Sequence, residues 1–429
     1  MADGPGRTTQ SAIYRAGATG TLPRIPSNWR ALESAAQRAM SREAWAYVAG
    51  SAGNESTTVA NRAALDRWRI VPRVLRDVSE RDLSVELFGH RYPTPLLAAP
   101  VGVLGLVAEQ ADVAVGTAAA GLGVPYIFST QASKPMEQVA AAMAGSPWWY
   151  QLYWSTSDDL VASLVGRAEK AGAQAIVVTL DTHMLGWRPR DLDLGYLPFA
   201  HGMGIAQYTS DPVFRRLVDE HIAAAVPEER PRITPATIRT LLDITRNHPG
   251  RFWANLRSPL PRASVDTFLD VFSRSNLDWS DLATLRKFTS LPIVLKGVLH
   301  PDDATRALAA GVDGIIVSNH AGRQVDDAIG SLDALPAIAD AVAGRVPVLF
   351  DSGVRSGADM FVALALGATA VCVGRAYTYG LAIAGEAGAR EAMRNIVAEF
   401  DITLGLAGLT SAGEIDLAAV ARAPIPREL

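Results

Sequence analysis

The chain has 429 residues, 49% of them hydrophobic, a single cysteine and a formal net charge of −4. That length and apolar fraction suffice for a large core, in one big α/β domain or two smaller ones. Slight acidity without a basic stripe speaks against nucleic acid or a membrane surface as partner, and one cysteine excludes an intrachain disulfide or a Cys-based zinc site. Met1–Thr21 lacks an apolar core, so no signal peptide is read there. The longest uncharged run, Val113–Ser133, is broken by Gly121, Gly123 and Pro125, so no membrane span is expected. The expectation is a soluble cytoplasmic enzyme with no metal site.

In chain order, helices are predicted first over Asn28–Ala52, with Ser27 capping one and Ser41 the next, Glu43 lying in its first turn. Short apolar runs then predict strands at Leu96–Pro100, Tyr126–Ser129, Trp148–Tyr153, Ala175–Asp181, Pro292–Gly297, Gly314–Asn319, Val346–Gly353 and Ala370–Arg375. Alanine-rich helical stretches fall between them at Ala111–Ala120, Ser157–Ala171, Asp302–Ala310, Leu335–Val342 and Gly357–Leu366. Eight strands with helical connections define an α/β fold, a (β/α)8 TIM barrel. A doubly wound sheet would want a dinucleotide turn after its first strand, and Pro100-Val101-Gly102-Val103-Leu104-Gly105 matches one poorly.

One connection is far too long: about 110 residues run from Thr182 to Leu291, where a barrel helix needs roughly 25–30. It carries Arg188-Pro189-Arg190-Asp191, the aromatics Tyr196, Phe199 and Tyr208, and helical patterns at Asp211–Val226 and Pro235–His248. A segment of this kind reads as a lid. The expected organisation is a single domain over 1–429: an N-terminal helical segment (1–90), a barrel (95–181 and 292–385), a lid insertion after strand four (182–291) and C-terminal helices (386–429).

Polar residues fall in phase at the carboxyl ends of these strands: Ser129, Gln151 and Tyr153, Thr179 and Asp181, Lys296, Ser318 to His320, Asp351 and Arg375. In a barrel those ends converge on the face where active sites are built. In Ser318-Asn319-His320-Ala321-Gly322-Arg323-Gln324 a proton acceptor stands beside a fixed charge able to grip a carboxylate with two hydrogen bonds. Gly353-Val354-Arg355 and Gly374-Arg375 follow strands seven and eight, the usual phosphate cradle of such barrels, pointing to a cofactor or a phosphorylated substrate. Lys296 could form a Schiff base or hold the charge that develops on a flavin. Gln151, Thr179 and Ser129 favour the flavin, since they supply the neutral hydrogen-bonding groups that its ring edge requires. Cys372 reads as a small buried hydrophobe.

With Tyr47-Val48-Ala49-Gly50-Ser51-Ala52-Gly53, Gln151-Leu152-Tyr153, Thr179-Leu180-Asp181-Thr182, Leu295-Lys296-Gly297 and Asp351-Ser352-Gly353-Val354-Arg355 beside the histidine loop, the chain resembles the FMN-dependent L-2-hydroxy-acid oxidising family over roughly residues 12–420. Glu80-Arg81-Asp82-Leu83, Gly186-Trp187-Arg188-Pro189-Arg190-Asp191 and Asp211-Pro212-Val213-Phe214 make it most similar to the lactate 2-monooxygenase branch. The resemblance implies oxidation of a 2-hydroxy acid to the keto acid with FMN as cofactor and O2 as acceptor. Peroxide is then either released or consumed in decarboxylating the keto acid in place. It implies a homo-oligomer, tetramer or octamer. It assigns Arg323 and Arg188 to the substrate carboxylate with Tyr47, and Tyr153 to the hydroxyl. His320 becomes the base, held by Asp181, and Lys296 the flavin's countercharge. Val101, Ser129, Gln151 and Thr179 go to the ring, with Ser318 among the cofactor contacts, Asp351 to the ribityl chain, and Gly353, Arg355, Gly374 and Arg375 to the phosphate. Four departures or markers stand out. Ala321 replaces the first glycine of the family's His-Gly-Gly-Arg-Gln. Asp326 and Asp327 follow the catalytic loop and could meet a substrate. Gln131 takes a place that is often aromatic or apolar, while Gly102 adjoins the expected flavin position. Of the remaining histidines, His183 is expected to pack under the lid and the others to lie on loops or helix faces.

Overall fold

The computed structural model describes residues 4–224 and 233–423. Eight parallel strands close into a barrel in sequence order: β1 (Leu96–Ala98), β2 (Tyr126–Ser129), β3 (Trp148–Leu152), β4 (Ile176–Thr179), β5 (Ile293–Val298), β6 (Gly314–Val317), β7 (Val348–Phe350) and β8 (Ala370–Val373). β8 pairs with β1 through Val371–Leu96, Cys372–Leu97 and Val373–Ala98, which completes the ring. Every predicted strand is present. Six of the eight end one to three residues before the predicted runs do, because the polar residues there already belong to loops.

Two-residue alternation explains the layers. Leu97, Ile127, Trp149, Val177, Val294, Ile316, Leu349 and Cys372 turn into the barrel. Their neighbours Leu96, Tyr126, Tyr150, Ile176, Leu295 and Val371 pack beneath the outer helices. The amino-terminal end is closed by a hairpin, Val85–Leu87 with His90–Tyr92. Its turn residues Phe88 and Gly89 both have positive φ, and Phe88 packs on Trp149 at 5.3 Å between ring centres.

Ahead of the barrel lie helices α1 (Pro5–Ala18), α2 (Trp29–Ala39), α3 (Arg42–Ala49) and α4 (Ser56–Asp66). Ser41 caps α3 as expected, but the cap of α2 is Asn28, not Ser27: its side chain accepts from the Ala31 N–H at 3.2 Å. The sequence had given no helix over Pro5–Ala18, which is mostly polar and exposed. It is fastened by buried Asp401, which accepts from the Gly6 N–H and pairs with Arg81.

Between β4 and β5 the chain forms a series of short helices, including Pro189–Asp193, Ala206–Thr209, Pro212–Ala224, Pro235–Asn247 and Leu260–Val271. The last two residues of the predicted Asp211–Val226 helix lie outside the described residues. The insertion is anchored on the loop after β2. Buried Gln207 donates to the Lys134 carbonyl and accepts from the Met136 N–H, while Arg167 pairs with Asp211 at 3.0 Å. Its last helix, Asp281–Phe288, returns to the outer ring beside Asp158–Lys170. After β8, one helix runs over Arg375–Leu406, bent at Ala384 and Gly385. Among the described residues no helix is long and apolar enough to cross a membrane.

Candidate active site

A cavity of about 550 Å3 opens at the carboxyl ends of the strands, walled by the loops after seven of them and by Lys296 of β5. At its centre His320 Nδ1 lies 2.8 Å from Asp181 Oδ1, which also accepts from the Thr182 hydroxyl at 3.0 Å. Burial pushes the Asp181 carboxyl up, but His320, Lys296 and the Thr182 hydroxyl outweigh it and hold its pKa down at about 2. Burial is also the largest influence on His320 and keeps it below the ordinary imidazole value, so the ring is neutral near pH 7 beside an ionised carboxylate. An ionised Asp181 fixes the proton on Nδ1 and leaves the Nε2 lone pair as the base.

Asp181 fits because of Gly297. At φ +106 this residue makes a bulge in β5, and a Cβ there would stand 2.8 Å from the Asp181 Cβ. Lys296, one residue earlier, donates to Ser318 Oγ at 2.8 Å and pairs with Asp351 at 3.0 Å. Burial pulls the ammonium down, but the Asp351 and Asp181 carboxylates reverse this and set its pKa above the ordinary lysine value. A permanently charged, hydrogen-bonded lysine is no Schiff-base nucleophile. Gln151 accepts from Ser129 Oγ at 3.1 Å and donates to Thr179 Oγ1 at 3.0 Å, which ties three predicted ring contacts into one row.

Arg323 donates to the carbonyls of Tyr47 and Gly50 and lies over the Tyr47 ring at 4.9 Å. Buried Arg188 donates to the Arg323 carbonyl at 3.1 Å and to Gln324 Oε1 at 2.6 Å. Burial and the neighbouring charge of Arg323 lower Arg188 to about 10. Among the described residues neither guanidinium pairs with a carboxylate. Tyr153 is raised to about 12 by burial, then by Asp181 and Tyr47, so its phenol remains a proton donor.

At the other end Arg375 opens the last long helix, donating to the Val48 and Gly50 carbonyls and to Ser51 Oγ. Arg355 lies over Trp29 at 5.0 Å. Burial lowers both, and among the described residues neither has a carboxylate partner. Two guanidiniums without a carboxylate partner among the described residues, a helix start at Arg375 and the positive-φ turn of Ser352 and Gly353 suit a phosphate. The central row and Lys296 suit a flavin ring, so the residues present fit FMN.

The catalytic loop is held from outside. Asn61 of α4 and Asn319 exchange two amide hydrogen bonds (2.9 and 2.7 Å), and Ser331 ties both. This pair escaped the sequence reading because its partners are 258 residues apart. Asn61→Ala strands a buried amide and is expected to cost about 2 kcal/mol in urea unfolding and to lower turnover with flavin content retained. Unchanged unfolding would show that the pair carries no load. Gln324 was likewise given no role, yet its amide bridges Arg188 to the Asp181 and Met184 carbonyls.

Ala321 needs no loop shift: with His320 it occupies the left-handed region itself, at φ +55, a cost of order 1 kcal/mol per residue. Asp326 is a structural residue here, not a substrate contact: it accepts from the Asn54 and Thr57 N–H groups at the start of α4. His183 is exposed and bonds back to the Leu180 carbonyl instead of packing under the lid, and His90 begins a strand of the hairpin.

A neutral histidine on a carboxylate, two guanidiniums with no carboxylate partner among the described residues and arginine-bearing loops that suit a phosphate, set in a TIM barrel, fit a flavin-dependent oxidoreductase. The model of the FMN-dependent dehydrogenase family matches residues 36–422, and the chain belongs to that family. It is 41% identical to the FMN-dependent alpha-hydroxy acid dehydrogenase qulF of Penicillium citrinum, covering 98% of this chain and 97% of that protein. It is also 41% identical to the L-lactate oxidase of Lysinibacillus sphaericus, covering 94% and 95%. A solved structure of mandelate oxidase with (S)-4-hydroxymandelic acid aligns with TM-score 0.75 and 34% identity, over 93% of this chain and all of that one. Another mandelate oxidase structure, of a Y128F mutant, carries a C4a-OH-FMN adduct and aligns with TM-score 0.72. The protein is an FMN-dependent 2-hydroxy-acid oxidoreductase.

Proposed function

We propose that the chain oxidises an L-2-hydroxy acid to the 2-keto acid with O2 as acceptor. The observation that carries this reading is the union, in one loop, of a base held neutral by burial against Asp181 and a guanidinium free of carboxylates. Arg323 and Arg188 bind the substrate carboxylate from two sides, and Tyr47 closes the grip. Tyr153 donates to the hydroxyl oxygen, and His320 Nε2 takes its proton, the resulting imidazolium being compensated by Asp181. Lys296 offers a fixed positive charge where negative charge accumulates during reduction. Arg355, Arg375, Gly353, Gly374, Asp351, Ser318, Val101 and the Ser129–Gln151–Thr179 row would hold FMN, which would supply the two-electron acceptor for the substrate and the route of those electrons to oxygen.

The segment over the site supports retention of the keto acid and, with it, the decarboxylating outcome of a lactate 2-monooxygenase. It is clamped at Gln207 and Arg167, and at Gly186 it approaches the catalytic loop so closely that a Cβ would stand 2.5 Å from the Arg323 carbonyl. Anaerobic mixing of the yellow protein with L-lactate and larger L-2-hydroxy acids is expected to bleach the flavin, whereas no bleaching by any member would remove the proposal. Oxygen admitted afterwards distinguishes the products: carbon dioxide with the shortened acid marks retention, and peroxide with the keto acid marks release.

A further inference from the structure

One polar side chain at the substrate end has no part in this chemistry. Gln131, in the loop after β2, lines the cavity and is 6% exposed. Its backbone is pinned, the N–H donating to Ser129 Oγ at 3.1 Å and the carbonyl accepting from Val103 N–H at 2.7 Å. Its side-chain amide makes no hydrogen bond among the described residues. Gly102 leaves that amide uncovered: a Cβ there would stand 3.1 Å from the Gln131 Cβ and 3.5 Å from Oε1. Nearby wall is apolar. The ring of Phe199 reaches the same point beside Gly204 as the Gln131 carbonyl, and Phe199 stacks with Phe272 at 6.3 Å between centres. The arginines of the cavity are engaged elsewhere, Arg188 and Arg323 on the catalytic loop, Arg355 and Arg375 in the phosphate loops, Arg62 with Asp359 and Arg190 with Glu55, so this wall offers no countercharge.

An amide that faces the cavity from an otherwise buried side chain, with no partner among the described residues, penalises an apolar ligand and rewards one that satisfies it. We propose that Gln131 selects 2-hydroxy acids whose side chain carries a neutral hydrogen-bonding group, an amide, carbonyl or hydroxyl, over aliphatic ones of the same size. This rests on the 2-hydroxy-acid reading above and names its substrate class.

The test compares two near-isosteric pairs on the holoenzyme. Binding is measured by calorimetry with the unreactive acids succinamate and 4-methylpentanoate. Turnover is measured with (S)-2-hydroxysuccinamate and (S)-2-hydroxy-4-methylpentanoate. The wild type is expected to favour the amide member of each pair about tenfold or more, and Gln131→Leu to invert the order with flavin content and visible spectrum unchanged. A wild type that binds 4-methylpentanoate as well as succinamate overturns the proposal, whatever the stability of the variant. So does a preference that survives Gln131→Leu. The two readings fail separately: bleaching with no amide preference removes the subsite alone, and the predicted binding ratio without bleaching by any hydroxy acid removes the redox reading.

Discussion

His320→Gln is expected to slow flavin reduction by a 2-hydroxy acid by about 10³-fold, while the protein stays yellow. Glutamine keeps a hydrogen bond to Asp181 but offers no lone pair of suitable basicity, and His320 belongs to neither phosphate loop. The pH profile gives the stricter check. The working form is the neutral ring, so the wild-type rate falls as acid protonates it. Burial holds His320 below the ordinary value of 6.5, which places that fall on the acid side of 6.5. The variant should lose this limb altogether. An acid limb that persisted in His320→Gln would assign the base to another group.

Lys296→Met should produce the largest loss of stability among substitutions at the site, about 3–5 kcal/mol. Methionine fills the space, but it leaves Asp351, hardly exposed and 3.0 Å from the missing ammonium, as an uncompensated buried charge. The raised pKa of Lys296 fixes the sign of the pH dependence. Its stabilising contribution is whole below the unfolded lysine value of 10.5 and is lost only as pH rises through the folded value. The deficit of the variant should therefore be constant between about pH 6 and 9. The double variant Lys296→Met, Asp351→Asn should recover most of it, since no charge is then stranded. Equal urea midpoints for wild type and Lys296→Met would sink this account.

The barrel was legible because a buried parallel strand writes itself as an apolar run ended by polar residues. Ala175–Asp181 and Gly314–Asn319 show both halves of that signal. The same rule overshot the ends of six of the eight strands by one to three residues, since Asp181 and Ser318 to His320 look contiguous with the runs they follow. The helix over Pro5–Ala18 was invisible for the opposite reason: it is largely solvent-exposed and owes its place to a carboxylate on the far side of the sequence. The charged and aromatic members of the site could be read from residue type and position. So could Gln151, at the end of a strand, but three other amides could not. Asn61, Gln324 and Gln131 are ordinary polar residues until the fold shows which are bonded and which are not. Asp326 inverts the lesson: a carboxylate close in sequence to the catalytic loop, yet committed to a helix start.

The hairpin bearing Phe88 stoppers the amino-terminal end of the barrel, and the cavity opens at the carboxyl end; in the proposed reaction acid, oxygen and products pass at that carboxyl end. A substitution that stiffens the clamp at Gln207 and Arg167 would then do more than slow departure. It would lengthen the interval in which peroxide and keto acid are confined together, and so shift the balance of products without altering any group that performs the chemistry.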